Sequence, residues 1–168
     1  MTALAAGPNF PNFFDMPRGQ YLVAVFSVVL VTASVLVHYE VLRKLADGLA
    51  HLRQLHRTRV LVLILGLLTT HVFEIWIFAI GFGLLDGVAD FGAITHVESV
   101  PDPVASTWLD YVYFSFITYT TVGYGDLVPR GPIRFIAASE ALTGWVLLGW
   151  SASFTVLEMQ RFWRVPKE

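Results

Sequence analysis

Long apolar stretches dominate the pattern of hydrophobic and polar positions along this chain. Three of them, at residues 21–37, 60–85 and 133–157, carry few or no charged side chains. A helix rises about 1.5 Å per residue and a hydrocarbon core is about 30 Å thick, so roughly 20 apolar residues are needed to cross it. The pattern therefore predicts an all-α membrane protein with three transmembrane helices per chain.

Residues 39–58 have apolar positions at helical spacing, with basic residues on the other face. This pattern predicts a helix that lies on the inner leaflet or continues out of the first span. His38 and Tyr39 are expected to extend the first span into the headgroup region. A cleaved signal peptide is an alternative interpretation of the first span, but the apolar run is longer than the roughly 7–15 residues of a usual signal core.

A short aromatic segment at residues 107–119 lies between the second and third spans and is too short to cross a membrane. It follows an acidic loop, residues 86–106, that contains glycines and prolines. Thr107 or Ser106 is expected to cap a short helix here. The short segment predicts a re-entrant helix within a domain at residues 59–160.

The remaining predicted parts are an N-terminal surface segment at 1–18, the first span with a basic cytoplasmic linker at 19–58, and a tail at 161–168.

The composition supports a membrane protein, since 55% of the residues are apolar, 14% are charged and the mean hydropathy is +0.62. Basic residues are concentrated at 43–59, next to two spans. Basic residues close to spans favour the cytoplasmic side, and this explains the basic segment without nucleic-acid binding. We therefore expect a multi-pass protein of the cell membrane, with its N-terminus outside and its C-terminus in the cytoplasm.

Residues 120–126 carry the candidate chemistry, because Gly123 and Gly125 flank Tyr124 in the sequence TTVGYGD. Glycine permits backbone angles that other residues resist, so main-chain carbonyls can turn toward one ion and replace its water. The Thr121 hydroxyl can add a further oxygen. The C-terminus of the preceding helix adds partial negative charge, which favours a cation. A ring of such oxygens needs several copies of the chain around one axis, because each chain supplies one segment.

The same run, TTVGYGD, resembles the signature of the potassium channel family, and the resemblance covers roughly residues 60–160. The extra first span makes the chain similar to small three-span bacterial members. The resemblance implies an outer helix at 60–85, an extracellular loop at 86–106, a pore helix at 107–119, a selectivity filter at 120–126 and an inner helix at 133–157.

The resemblance also implies that four identical chains form a homotetramer around one pore. It implies a potassium-selective channel that passes K⁺ passively across the lipid bilayer, with K⁺ as the permeant ion and no cofactor. It implies that the K⁺ ligands are main-chain carbonyls together with one hydroxyl, and that two further residues stand at the outer mouth. The carbonyls are those of Thr121, Val122, Gly123 and Tyr124, the hydroxyl is that of Thr121, and the outer-mouth residues are Gly125 and Asp126.

Other residues acquire expected roles from the resemblance. Four aromatic residues are expected to pack behind the filter, with Trp108 equally open to interpretation as a membrane-interface aromatic. Gly144 resembles the hinge of the inner helix, with Gly149 as a second candidate, although a small residue can also serve close helix packing. Ile117 stands where some bacterial members carry a glutamate that bonds toward the outer aspartate. The four aromatic residues are Trp108, Tyr111, Tyr113 and Phe114.

Ionisable side chains within the predicted spans are costly and are usually paired. His71 and Glu74 lie on one helix face because they are three residues apart. A contact of His71 with Glu74 or Glu140 would make gating depend on pH. The alternative is a hydrogen bond that holds the spans together.

Two other functions remain compatible with the sequence: a weakly selective cation channel, and a non-conducting subunit whose first span binds a partner. An enzyme has little support, because no nucleophile–base set or metal-ligand cluster stands out. The chain has no cysteine, which excludes disulfides and thiolate sites.

Overall fold

The computed structural model describes residues 17–51, 56–97 and 107–163. Three helices are long and apolar enough to cross a membrane, and a fourth has only 12 residues. The predicted all-α membrane protein with three spans is therefore confirmed. In chain order the elements are α1 (Arg18–His51), α2 (His56–Leu85), β1 (Ala93–His96), α3 (Trp108–Tyr119), β2 (Leu127–Arg130) and α4 (Arg134–Trp163).

Helix α1 is continuous over 34 residues and joins the first predicted span to most of the basic segment. Of the two expected arrangements, the structure has the helix that continues out of the span. His38 lies inside the bundle rather than on its surface, because α2 and α4 pack around this part of α1 and its side chain is 0% exposed. Tyr39, on the other face, is 51% exposed.

The long helices extend beyond the apolar stretches that predict them. Helix α2 begins at His56 rather than residue 60, and α4 ends at Trp163 rather than residue 157. Backbone hydrogen bonding can continue a helix past the hydrocarbon core, so basic residues at a span end do not stop it. Some predicted features lie outside the described residues. They are most of the N-terminal segment, part of the linker, the possible cap at Ser106, and two acids of the acidic loop, Glu98 and Asp102.

A short antiparallel sheet lies where the sequence predicts only loops. Strand β1 pairs with β2 so that Ala93 is opposite Arg130 and His96 is opposite Leu127. The Val97 N–H continues the pairing by donating to the carbonyl of Asp126 at 2.9 Å. The sheet therefore connects the loop after α2 to the end of the candidate segment.

The spans alternate in direction, as two contacts at opposite ends show. Gly19, at the start of α1, lies directly against Asp90 in the loop after α2. At the other end, Arg59 Nη2 of α2 lies 3.9 Å from Glu158 Oε2 of α4. The start of α1, the sheet and the candidate segment therefore share one end of the bundle.

Two apolar clusters fill the bundle. The larger one joins α1, α2, α3, α4 and the sheet, and includes Phe78 and Phe82, both 0% exposed. The smaller one, formed by Leu42, Leu49, Leu63 and Leu67, lies toward the basic end of α1 and α2. The larger cluster packs against one side of α3 and so fixes the position of the segment that follows it.

Candidate functional site

Helix α3 places the candidate segment, and its N-terminus is capped as predicted at Thr107. Asp110 Oδ2 accepts hydrogen bonds from the Thr107 N–H at 2.7 Å and from the Thr107 hydroxyl at 3.0 Å. A carboxylate in the first turn of a helix is also favoured by the helix dipole. The beginning of α3 is therefore well defined.

Residues 120–126 fold directly onto the C-terminal end of α3. The Thr121 N–H donates to the Thr118 carbonyl, and the Gly123 N–H donates to the Ile117 carbonyl, both at 3.0 Å. The C-terminal end of a helix carries partial negative charge. The segment therefore lies in a field that favours a positive ion.

The backbone of this segment alternates into the left-handed region. Gly123 has φ +51° and Gly125 has φ +82°, with no side chain crowding either position. Backbone angle, rather than lack of space, is what requires glycine here. Thr121 has φ +60° although it is β-branched, which is an unfavourable conformation of the kind found at functional sites.

The segment begins deep in the bundle and is open on one side. A Cβ at Gly144 would meet the carbonyl oxygen of Tyr119. Gly144 is about 15 Å along α4 from its first residue, Arg134, given 1.5 Å per residue. All residues from 120 to 126 are exposed in the single chain, with Tyr124 73% exposed. Among the described residues, this irregular backbone is therefore left uncovered within the bundle.

Asp126 ends the segment and is held by Tyr113, whose hydroxyl donates to Asp126 Oδ2 at 2.9 Å. This hydrogen bond to the carboxylate raises the pKa of the Tyr113 hydroxyl above its ordinary 10.0. Ile117 is buried and provides no carboxyl, so the hydrogen bond to Asp126 comes from the Tyr113 phenol instead.

The other predicted aromatic residues contact α2 and the loop that follows it. Phe114 packs edge-on against Phe82, with ring centroids 5.0 Å apart. The Tyr111 hydroxyl donates to Asp86 Oδ2 at 2.7 Å. Trp108 packs against Gly83 and Tyr111 and is 55% exposed. These contacts fix α3 against α2.

His71 and Glu74 are in contact, with 3.0 Å between His71 Nδ1 and Glu74 Oε2. Glu140 has a different partner, the Ser115 hydroxyl of α3. The Ser115 hydroxyl also lies 2.8 Å from the carbonyl oxygen of Ile75. One hydroxyl hydrogen cannot serve both acceptors, so a protonated Glu140 that donates to Ser115 satisfies this arrangement.

The sequence analysis missed His38 as a partner of this group. Its Nδ1 lies 2.8 Å from Glu74 Oε1, and both side chains are 0% exposed. The Tyr119 hydroxyl donates to Glu74 Oε2, and His71 Nε2 lies 3.0 Å from Ser151 Oγ. The available signal was a histidine directly after the apolar run of the first span. These hydrogen bonds define a group that we call the buried polar cluster, formed by His38, His71, Glu74, Tyr119 and Ser151.

The buried polar cluster joins all four helices. His38 is on α1, Glu74 on α2 and Ser151 on α4, and the hydrogen bonds reach α3 through Tyr119, its last residue. Tyr119 immediately precedes the candidate segment and is 0% exposed. The cluster therefore fixes the point at which the segment begins.

A short helix that ends inside the membrane on an open, glycine-containing segment, between two spans, defines a pore-forming class of membrane protein. A family model described as "Ion channel" matches residues 72–161, more than half of the chain, and the chain belongs to that family. Ion channels move ions without chemical conversion, so the protein is a membrane transporter rather than an enzyme.

One of the matched curated relatives is named as a potassium channel. The chain is 48% identical over 42 residues to Two-pore potassium channel 1 of Arabidopsis thaliana, covering 24% of this chain and 12% of that protein. It is 40% identical over 52 residues to Protein LctB of Geobacillus stearothermophilus, covering 31% and 39% of the two chains. Each match therefore spans less than half of the relative. No solved structure matches.

Proposed function

We propose that this chain forms a homotetrameric, potassium-selective channel that passes K⁺ down its electrochemical gradient. The observation that carries the proposal is the open segment at residues 120–126, which starts at the negative end of α3 and extends to the outer end of the bundle. One relative is named a potassium channel, and the match to it agrees with this proposal.

The proposed K⁺ ligands are oxygens of the open segment. Main-chain carbonyls of a filter replace the hydration shell of K⁺, and left-handed glycines give the backbone the required freedom. In this proposal Gly125 and Asp126 form the outer mouth, and the Tyr113 hydroxyl keeps the Asp126 carboxylate in place. The ligands are the carbonyls of Thr121, Val122, Gly123 and Tyr124, with the Thr121 hydroxyl.

The proposed tetramer follows from what a single chain leaves exposed. Polar backbone at membrane depth is stable only when protein covers it or when it lines a water-filled cavity. Val122 and Tyr124 are 53% and 73% exposed, so further protein is needed around the segment. Potassium channels use four such loops, and four identical chains around one axis would supply them.

The proposed orientation rests on charge at the two ends of the bundle. Arg43, Lys44 and Arg59 lie near the junction of α1 and α2, at the end away from Asp126. Basic residues beside spans favour the cytoplasm. The N-terminus and the outer mouth would then face outside the cell, and α4 would end in the cytoplasm.

The decisive test is ion flux through the purified full chain in liposomes, with reversal potentials measured in mixed K⁺ and Na⁺. We expect K⁺ flux with strong preference over Na⁺, and loss of that preference in Gly123→Ala. Gly87→Ala is the matched control, because Gly87 also has positive φ (+71°) and open surroundings but lies in the loop after α2. It should leave selectivity unchanged.

The outcomes separate the competing functions. Equal K⁺ and Na⁺ permeability would establish a weakly selective cation channel. Absence of flux from correctly assembled protein would favour a non-conducting subunit. Native mass spectrometry in detergent should give four chains, and any other number would contradict the proposed assembly.

A further inference from the structure

The buried polar cluster brings three potential metal ligands together from two spans. One nitrogen of His38, one nitrogen of His71 and a carboxylate oxygen of Glu74 all lie within 4.8 Å of one another. The two Nδ1 atoms face different oxygens of the same carboxylate, at 2.8 and 3.0 Å. Each of the three residues is less than 9% exposed.

The donor set has a recognisable chemical preference. Imidazole nitrogen suits Zn²⁺, Cu²⁺, Ni²⁺ and Fe²⁺, and two histidines with one glutamate form a known zinc ligand set. Tetrahedral zinc places neighbouring ligand atoms about 3.3 Å apart, so the side chains need to move by only about 1–2 Å. The Tyr119 oxygen lies beside these ligand atoms, 2.9 Å from His71 Nδ1.

We propose that His38, His71 and Glu74 form a binding site for a divalent transition-metal ion of the zinc class. Ion binding replaces the hydrogen bonds between the imidazoles and the carboxylate, so the ring nitrogens that ligate must lose their protons. Glu74 supplies one negative charge, which offsets part of the cost of placing a divalent ion among apolar helices.

The site would connect metal binding to ion conduction. The Tyr119 hydroxyl donates to Glu74 Oε2, and Tyr119 immediately precedes the open segment. A metal on Glu74 competes with that hydrogen bond and alters the support of the segment. Helix α1 contributes His38, so the site also gives the first span a direct connection to the pore domain.

The test measures metal binding itself and therefore does not depend on conduction or selectivity. The full chain is purified with a tag that contains no histidine, and Co²⁺ and Zn²⁺ are titrated by visible absorption and calorimetry. We expect one ion per chain, with a Co²⁺ spectrum typical of tetrahedral nitrogen and oxygen ligands. Binding should weaken as the pH is lowered, because protons compete for the imidazoles.

Variants locate the site within the chain. Loss of a supporting residue around a metal costs about 10–100-fold in affinity, so loss of a ligand in His38→Gln or His71→Gln should cost at least about 100-fold. Ser151→Ala, which removes a neighbour of His71, should cost about tenfold. His96→Gln is the matched control, because His96 is exposed at the end of β1, and it should bind as wild type.

Two results would overturn the proposal: no ion bound by folded wild-type protein, or unchanged affinity in His38→Gln. Circular dichroism and assembly size show whether each variant is folded. If the histidine variants do not fold, the proposal is tested by the stoichiometry and the Co²⁺ spectrum of the wild-type protein. An absent or octahedral Co²⁺ spectrum would contradict the proposed ligands. The polar cluster would then be a purely hydrogen-bonded connection between helices.

Discussion

At the scale of single residues, the position of Asp126 depends on one phenol. Tyr113 lies on α3, and its hydroxyl reaches across to the end of the open segment. A hydrogen bond to a carboxylate is stronger than one between neutral groups. The Asp126 side chain is thereby fixed although the buried Ile117 offers it no partner.

Replacing Tyr113 by Phe should weaken the Asp126 end of the segment while leaving the fold intact. We expect open periods in single-channel recordings to become several-fold shorter, because Asp126 loses its donor. Tyr21→Phe on the exposed face of α1 is the matched control and should behave as wild type.

The pH dependence of this effect has a defined sign. Because the pKa of Tyr113 is raised above 10.0, its donor hydroxyl is retained at and below that pH. Its contribution is therefore present at neutral pH and is lost only as the pH rises through the raised value. A difference between wild type and Tyr113→Phe that disappears near neutral pH would contradict this role.

Gly144 allows α4 to pass directly beside the end of α3. Gly144→Ala puts a methyl group against the Tyr119 backbone, and overpacking of this kind costs about 1–3 kcal/mol. Gly149→Ala is the control, since a Cβ there meets nothing within 4 Å in the single chain. Thermal unfolding of both purified variants checks the prediction.

The same pair tests the hinge hypothesis for Gly144. If close packing is its role, Gly144→Ala lowers the unfolding temperature, whereas Gly149→Ala leaves it unchanged or slightly raised, because alanine favours helix. If Gly144 is a hinge, Gly144→Ala assembles with normal stability and loses channel opening.

At the scale of elements, sequence patterns predict the helices better than the strands. Long apolar runs predict all three spans, and the capping signal at Thr107 predicts the beginning of α3. Strand β1 has four residues and pairs with β2 more than thirty positions later, so neither shows a period that a sequence pattern can reveal. Its pairing depends on tertiary contacts that local propensity does not contain.

The candidate site also contains features that the sequence predicts and features that it does not. The segment at 120–126 was predicted from its glycines and its resemblance to a known family. The contact of His71 with Glu74 was also predicted, because three residues separate them on one helix. His38 was missed because it joins Glu74 from another helix, and no spacing along the chain encodes that contact.

Asp86 connects three elements and provides a prediction at this scale. Its Oδ1 accepts from the Ile94 N–H of β1 and its Oδ2 from the Tyr111 hydroxyl of α3, both at 2.7 Å. In Asp86→Asn one acceptor becomes an NH₂ group, which should cost about 1–2 kcal/mol of unfolding free energy. Denaturant or thermal unfolding measures this loss.

Asp90→Asn is the control for Asp86→Asn, because it removes the same charge from the same loop. Asparagine also tolerates the left-handed conformation of residue 90, where φ is +73°. Equal destabilisation by both variants would show that charge, rather than the hydrogen bonds of Asp86, supports the loop.

At the scale of the whole molecule, the single chain is incomplete around its open segment. The larger apolar cluster supports one side of α3, whereas no described residue of the chain covers the face of residues 120–126. In the proposed tetramer that face surrounds the permeating ions. The ions then bind only to assembled protein, and this makes assembly and ion binding interdependent.

Potassium ions should therefore stabilise the assembly. A ligand that binds only the native state adds RT ln(1 + [L]/Kd), about 2.7 kcal/mol at a hundredfold excess over Kd. The thermal stability of the detergent-solubilised oligomer should be higher in KCl than in NaCl at equal ionic strength. Gly123→Ala should reduce the difference, and Gly87→Ala should preserve it. Equal stability in the two salts, in wild-type protein that is shown to be assembled, would mean that the open segment does not hold K⁺ selectively.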